Sequence, residues 1–260
     1  MLSQIWIVSA LCAGAFAAPT LTSAGSARLP ADLKILTEYF QLLGKKIQEG
    51  KNMAAAPVCN LDNAKMPVAS PTPLPAVGEG LYLKHVAIGR GTQNYTCDTT
   101  NATAIPVATG AVATLYNASC IASTFPDMLA TLPDVALQFN LTDVNQRTIS
   151  PSNLVISGHH FFSNGTTPVF VLNPAGKDIG VAPCQKNAAV PAPSGTTKGQ
   201  GNQGFGTVAW LKLTTRDGAT GGLQEVYRIN TAGGNPPASC AGQAASFEVQ
   251  YAAEYWFYAK

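Results

Sequence analysis

The chain of 260 residues contains little charge. Asp, Glu, Lys and Arg make up 12% of it, and the net charge is +2. That share is about half of the usual one. Because no basic cluster larger than Lys45-Lys46 occurs, the sequence argues against a nucleic-acid-binding surface. The low charge does not indicate disorder, since 46% of the residues are apolar.

Long hydrophobic runs are also missing. The longest apolar run, Ile5 to Ala17, is too short to span a bilayer but has the length of a signal-peptide core. Ala15-Phe16-Ala17 supplies the small residues of a cleavage site. The sequence therefore predicts a signal peptide over residues 1–17, a secreted protein of the extracellular space or cell wall, and no membrane span.

Nucleotide-binding motifs are incomplete. The stretch "IGRGTQNYTC" begins at Ile88 and holds Gly89 and Gly91, but the third glycine of a dinucleotide site and a following helix are absent. We predict no cofactor here. We expect a glycine turn or bulge that joins strands Leu81–Ile88 and Thr92–Cys97 into a hairpin.

Closely spaced cysteines are absent, which argues against a zinc site, and no metal is predicted. Five cysteines remain after the predicted cleavage: Cys59, Cys97, Cys120, Cys184 and Cys240. An odd number allows at most two internal disulfides and leaves one thiol free or paired with another chain. The spacing leaves the pairing open.

Glycosylation sequons, in contrast, are abundant. They are Asn94, Asn101, Asn117, Asn140 and Asn164. Five sequons within about 70 residues behind a signal peptide predict a glycoprotein.

The pattern along the chain predicts four parts: the signal peptide 1–17, a helical segment 18–56, a proline-rich linker 57–79 and a β domain 80–260. Apolar residues at steps of three and four predict an amphipathic helix over Asp32–Gln48. Short alternating runs predict an antiparallel β-sandwich or barrel. Its further strands are predicted at Ala111–Tyr116, Val135–Phe139, Leu154–Phe162, Val169–Val171, Thr207–Thr214, Leu223–Ile229 and Glu248–Tyr258.

Catalytic motifs are scarce. The three histidines are His85, His159 and His160, and adjacent histidines of a strand point to opposite faces. We expect His159 or His160 to lie in any pocket. Among the few carboxylates, Glu254 is a candidate for acid–base chemistry beside such a histidine.

The densest aromatic stretch lies near the C-terminus. Alternation places Tyr251, Tyr255 and Phe257 on one face of a strand, with Trp256 and Tyr258 on the other. One face is expected to be core. The other is either covered by the helix or forms a sugar-stacking platform. The candidate binding residues of this strand are Tyr255, Trp256 and Tyr258.

Five motifs carry a family resemblance: "GRGTQNYTC", "GHHFFSNGTTPVF", "VAWLKL", "VYRINTAGGNPPASC" and "VQYAAEYWFY". In this order they resemble a family of secreted proteins of fungi and bacteria with a domain of unknown function. Some fungal members carry the label malate dehydrogenase. The resemblance covers roughly Gly80 to Lys260 and implies an extracellular β domain without implying an activity. The incomplete glycine motif argues against an NAD-dependent malate dehydrogenase.

Three functions are compatible with these observations. The first is extracellular binding of wall carbohydrate or of a surface or host protein, without covalent chemistry and with a possible effector-like role. The second is an enzyme that acts on extracellular polysaccharide with histidine and carboxylates from separate strands. The third is a structural wall or spore-coat protein, for which a free cysteine would provide cross-links.

Overall fold

The computed structural model describes residues 31–54, 57–139, 147–174 and 176–260. The predicted signal peptide and the sequon Asn140 lie outside these ranges. No helix of the described residues has the length and apolar character needed to cross a membrane.

An eight-stranded antiparallel β-barrel forms the centre of the protein. Its strands follow one another around the barrel as β1-β2-β4-β5-β6-β7-β8-β9, and the β1–β9 pairing closes the ring. The two-residue strand β3 pairs with β4 alone. The strands are β1 (Tyr82–Thr96), β2 (Val107–Asn117), β3 (Thr148–Ile149), β4 (Leu154–Ser163), β5 (Thr167–Leu172), β6 (Gly180–Val190), β7 (Trp210–Thr215), β8 (Leu223–Gly233) and β9 (Ser246–Ala259). The predicted β fold is confirmed and is a barrel.

The described residues form the helices α1 (Ala31–Lys51), α2 (Ser119–Thr124) and α3 (Pro126–Gln138). Helices α2 and α3 cover part of the outside of the barrel, and α1 packs against α3. The predicted N-terminal helix is confirmed. The predicted strand Val135–Phe139 is wrong, because these residues end α3 and only Phe139 lies beyond it. Four of the five residues are apolar, and periodicity does not separate a short buried strand from one turn of a buried helix.

The predicted hairpin at Gly89 and Gly91 is also wrong, since both glycines lie inside the continuous strand β1. A Cβ atom on Gly91 would lie 1.9 Å from the carbonyl oxygen of Val112 in β2. A Cβ atom on Gly89 would lie 2.4 Å from the ring of Tyr255. The glycines therefore permit close approach of a neighbouring strand and an aromatic ring rather than a turn.

Arg90, between these glycines, points outward and holds the C-terminal end of α3. Its Nε donates to the carbonyl oxygen of Ala136 at 3.1 Å, and Nη2 donates to that of Phe139 at 3.1 Å. Nη1 donates to the carbonyl oxygens of Gly91 and Tyr251, each at 3.2 Å. The cation thus satisfies carbonyl groups that a helix end leaves unpaired.

Two apolar cores lie on the two sides of the sheet. One fills the barrel and includes Phe170, Val226 and Phe257. The other lies between the barrel wall and the helices and includes Leu132 and Trp256. The last nine residues of β9 are buried, because this strand contributes alternate side chains to both cores.

The proline-rich segment packs against the barrel at several points. A disulfide joins Cys59 to Cys120 of α2. Farther along, the Lys212 Nζ donates to the carbonyl oxygen of Ala76 at 2.7 Å and lies 2.8 Å from the Glu225 carboxylate. A second disulfide, Cys97–Cys240, joins the end of β1 to the loop before β9. Cys184 is free and buried inside the barrel.

Candidate functional site

The two adjacent histidines of β4 lie on opposite faces of the strand. His159 is exposed, whereas His160 is buried inside the barrel. The His160 Nδ1 donates to the carbonyl oxygen of Val169 at 3.0 Å, and its ring stacks on Phe170 with 4.2 Å between centroids. Burial lowers the pKa of His160 to about 4, so that the ring is neutral at physiological pH.

Glu254 lies on the other side of the sheet from His160 and is fully buried. Its carboxylate accepts hydrogen bonds from the Asn230 Nδ2 at 2.7 Å and from the Trp256 Nε1 at 2.9 Å. Burial raises its pKa to about 7, although these two hydrogen bonds act in the opposite direction. The barrel wall therefore separates Glu254 from His160, and the two groups do not share a site.

The three aromatic candidates of β9 expose almost no ring surface. Tyr255 lies inside the barrel, while Trp256 and Tyr258 lie under the outer layer. Their side chains are buried, with Tyr258 the most accessible at 8%. Sugar stacking needs an exposed ring face. These three residues offer no such face in the structure.

A cleft of about 400 Å³ lies instead where β1, α2, the proline-rich segment and the loop before β6 meet. It is lined by Cys59, Asn60, Leu61, Lys84, His85, Asn117, Ser119, Cys120, Pro174, Lys177 and Ile179. The Cys59–Cys120 disulfide fixes the proline-rich segment against α2. His85 is therefore the histidine of the cleft, and the expectation that His159 or His160 would occupy it is not met.

His85 lies between two serine hydroxyl groups. Its Nδ1 is 3.0 Å from the Ser119 Oγ of α2, and its Nε2 is 3.0 Å from the Ser157 Oγ of β4. His85 is 2% exposed, and burial together with the charge of Lys177 lowers its pKa to about 4. The imidazole is thus a neutral, oriented group at the floor of the cleft.

The groups that line the cleft are mainly hydrogen-bond donors. Lys84 and Lys177 bring two positive charges, and none of the lining residues carries a carboxylate. Asp178 follows Lys177 in the chain but is not part of the lining. The side-chain Oδ1 of Asn60 accepts a hydrogen bond from the N–H of Asp62, and the Oδ1 of Asn117 accepts one from the N–H of Ser119, each at 3.0 Å. The amide NH₂ groups therefore remain for a ligand, and the cleft favours one rich in acceptor oxygens.

Sequence reasoning missed this arrangement because its parts are far apart in the chain. Ser157 and His85 are 72 residues apart, and Ser119 and His85 are 34 apart. No spacing rule connects such positions. The one signal available was the presence of His85 in a predicted strand.

Within the described residues, no three His, Cys, Asp or Glu side chains lie close enough together to hold a metal ion.

Residues 78–259 match the family described as "Protein of unknown function (DUF3455)". The chain belongs to this family. Comparison with curated proteins and with solved structures found no match.

The DUF3455 domain supplies most of the cleft but not all of it. The side formed by Cys59, Asn60 and Leu61 precedes the matched residues. The barrel, α2 and α3 all lie inside the DUF3455 domain, whereas α1 precedes it. The cleft thus combines the family domain with a segment that a disulfide attaches to it.

The sequons occupy different environments. Asn101 and Asn164 lie on exposed turns, Asn94 is half-buried inside β1, and Asn117 is half-buried at the cleft. Occupied sequons belong to surface loops.

We expect glycan on Asn101 and Asn164 and none on Asn117, because a glycan on the Asn117 amide nitrogen would fill the cleft. Deglycosylation in ¹⁸O-water followed by peptide mass spectrometry would measure the occupancy of each site. An ¹⁸O label on Asn117 in the folded, secreted protein would contradict this prediction.

Proposed function

We propose that the protein binds an anionic carbohydrate in the cleft beside His85, outside the cell. The observation that carries the proposal is the pair Lys84 and Lys177 around a cleft whose lining holds no carboxylate. Carboxylate-bearing wall polysaccharides present the acceptor oxygens and the negative charge that these donors fit.

The two disulfides support the extracellular location, because such bonds persist in oxidising compartments. Among the described residues, the free thiol is that of Cys184, which is buried inside the barrel, and burial raises its pKa to about 12. It therefore offers no surface group for cross-linking, and nothing specific supports the structural wall-protein alternative.

Calorimetric titration with oligogalacturonate, and with a neutral oligoglucan of equal length, tests the proposal. We expect saturable binding of the acidic oligosaccharide, weakened by salt. Lys177→Glu should weaken it about tenfold, since a reversed charge at a partly screened site changes the free energy of binding by about 1.4 kcal/mol.

The matched control is Lys186→Glu, which reverses an exposed charge on β6 outside the cleft. It changes the net charge equally and should leave the affinity within about twofold if binding is local. Equal binding of the neutral oligoglucan, or equal losses in the two variants, would contradict the proposed site.

A further inference from the structure

We propose that Ser119 is a nucleophile that cleaves carboxylic esters, with His85 as its general base. The proposal rests on the proposed function, because the substrate class is an O-acyl ester carried by the anionic glycan bound in the same cleft. It adds a covalent reaction to what is otherwise a binding site.

The hydrogen bonds around His85 orient the imidazole for this reaction. The Ser157 Oγ can donate its proton to the carbonyl oxygen of Leu115, 3.4 Å away, and then accepts a hydrogen bond from the His85 Nε2–H. This arrangement leaves the lone pair on Nδ1, where it accepts the hydroxyl proton of Ser119 at 3.0 Å. Ser119, His85 and Ser157 are thus hydrogen-bonded in series as nucleophile, base and orienting group, as the activation of a serine requires.

A backbone group also favours the ionised form of Ser119. The N–H of Val86 donates to the Ser119 Oγ at 3.1 Å. A hydrogen bond donated to an oxygen stabilises the charge that forms on it when the proton leaves. The side-chain amide of Asn117 lines the same cleft, and its NH₂ group can donate a hydrogen bond to the oxyanion of the substrate. The Lys84 ammonium, which donates to the carbonyl oxygen of Gly221, adds positive charge from the side of the cleft.

Access to Ser119 comes from the cleft. Ser119 is 9% exposed and lines the cleft, whereas Ser157 is completely buried. Ser119 therefore contacts the substrate, and Ser157 is a positioning residue that acts through His85.

In the first step, Ser119 Oγ forms a bond to the acyl carbon while its proton moves to His85 Nδ1. The carbon–oxygen bond to the sugar then breaks, and the sugar oxygen takes the proton from His85. In the second step, water loses a proton to His85, attacks the acyl-serine and releases the carboxylic acid. The proton returns to Ser119, so that one ester and one water give one alcohol and one acid.

Reaction of the wild-type protein with a fluorophosphonate probe tests the nucleophile directly. We expect stoichiometric labelling, with peptide mass spectrometry locating the phosphonate on Ser119. Ser119→Ala should abolish it, and His85→Gln should slow it by at least about 100-fold, the usual contribution of a general base. The matched control is Ser123→Ala, which removes a half-buried serine of the same helix α2 outside the cleft lining and should label like wild type.

Absence of label on Ser119 of the folded wild-type protein would overturn the inference, whether or not the variants fold. Equal labelling of wild type and Ser119→Ala would also overturn it. The proposed function is measured separately by oligogalacturonate titration. Binding without labelling refutes the nucleophile alone, and labelling without binding of the acidic oligosaccharide refutes the proposed ligand class while leaving the nucleophile in place.

Discussion

Replacing Arg90 by methionine should lower the free energy of unfolding by about 3–5 kcal/mol. Methionine fills much of the same space but donates no hydrogen bond, so the carbonyl oxygens of Leu137 and Phe139 at the end of α3 lose their side-chain donor. The carbonyl oxygen of Ala136 keeps only the N–H of Phe139. Each buried group left unpaired costs about 1–3 kcal/mol. Chemical denaturation followed by circular dichroism would measure the change.

Two further variants separate this role from the loss of one charge. Arg147→Met removes an exposed arginine and should change the stability by less than about 0.5 kcal/mol. Arg90→Lys should also destabilise the protein, because a single ammonium cannot replace a planar fork that reaches carbonyls on α3, β1 and β9. An Arg90→Met protein as stable as wild type would show that the guanidinium does not hold α3.

The free energy of unfolding should be greatest near pH 6.5. His85 and His160 titrate at about 4 in the folded protein and near 6.5 when unfolded. Below pH 6.5 the unfolded state takes up protons that the folded state does not, so each histidine costs stability as the pH falls towards 4. For each histidine, the difference between the folded and unfolded pKa corresponds to about 3 kcal/mol in the free energy of unfolding.

Glu254 contributes with the opposite sign. Its pKa rises from 4.5 to about 7 on folding, so the stability that it contributes is complete below pH 4.5 and is lost as the pH rises through 7. Glu254→Gln should therefore gain about 3 kcal/mol relative to wild type between pH 4.5 and pH 8. Glu248→Gln, an exposed change on the same strand, is the control.

Chemical denaturation at a series of pH values from 4 to 8 would measure the loss of stability on both the acidic and the alkaline side of pH 6.5. His160→Gln should remove about 3 kcal/mol of the acid loss, and its exposed neighbour provides the control His159→Gln. A wild-type stability that is constant over this range would contradict the lowered pKa of the two buried histidines and the raised pKa of Glu254.

Much of the fold could be predicted from sequence because most strands of the barrel alternate locally. The terminal strand was predicted at Glu248–Tyr258, and the structure has it at Ser246–Ala259. β6 was missed, since Gly180–Val190 combines small residues with exposed polar ones in its second half. In β1, the two glycines led to the wrong prediction of a turn. They are required by close contacts with β2 and Tyr255, which are distant in the sequence.

The site could be predicted less well for the same reason. A signal for His85 exists in its strand, but its two serine partners come from other elements and are brought to it by barrel closure. The cleft also needs the Cys59–Cys120 bond, and five cysteines did not reveal their pairing. The aromatic residues of β9 suggested a binding surface because composition does not show whether a second layer covers a strand.

The position of β9 in the ring has a consequence for biosynthesis. β9 is the last strand of the barrel in the chain, yet it lies between β1 and β8. Until β9 has been synthesised, β1 and β8 each have an unpaired edge, and such edges favour association with other chains. The barrel can close only after β9 has left the exit tunnel, so β1 and β8 keep these edges unpaired until the last strand of the domain has been synthesised.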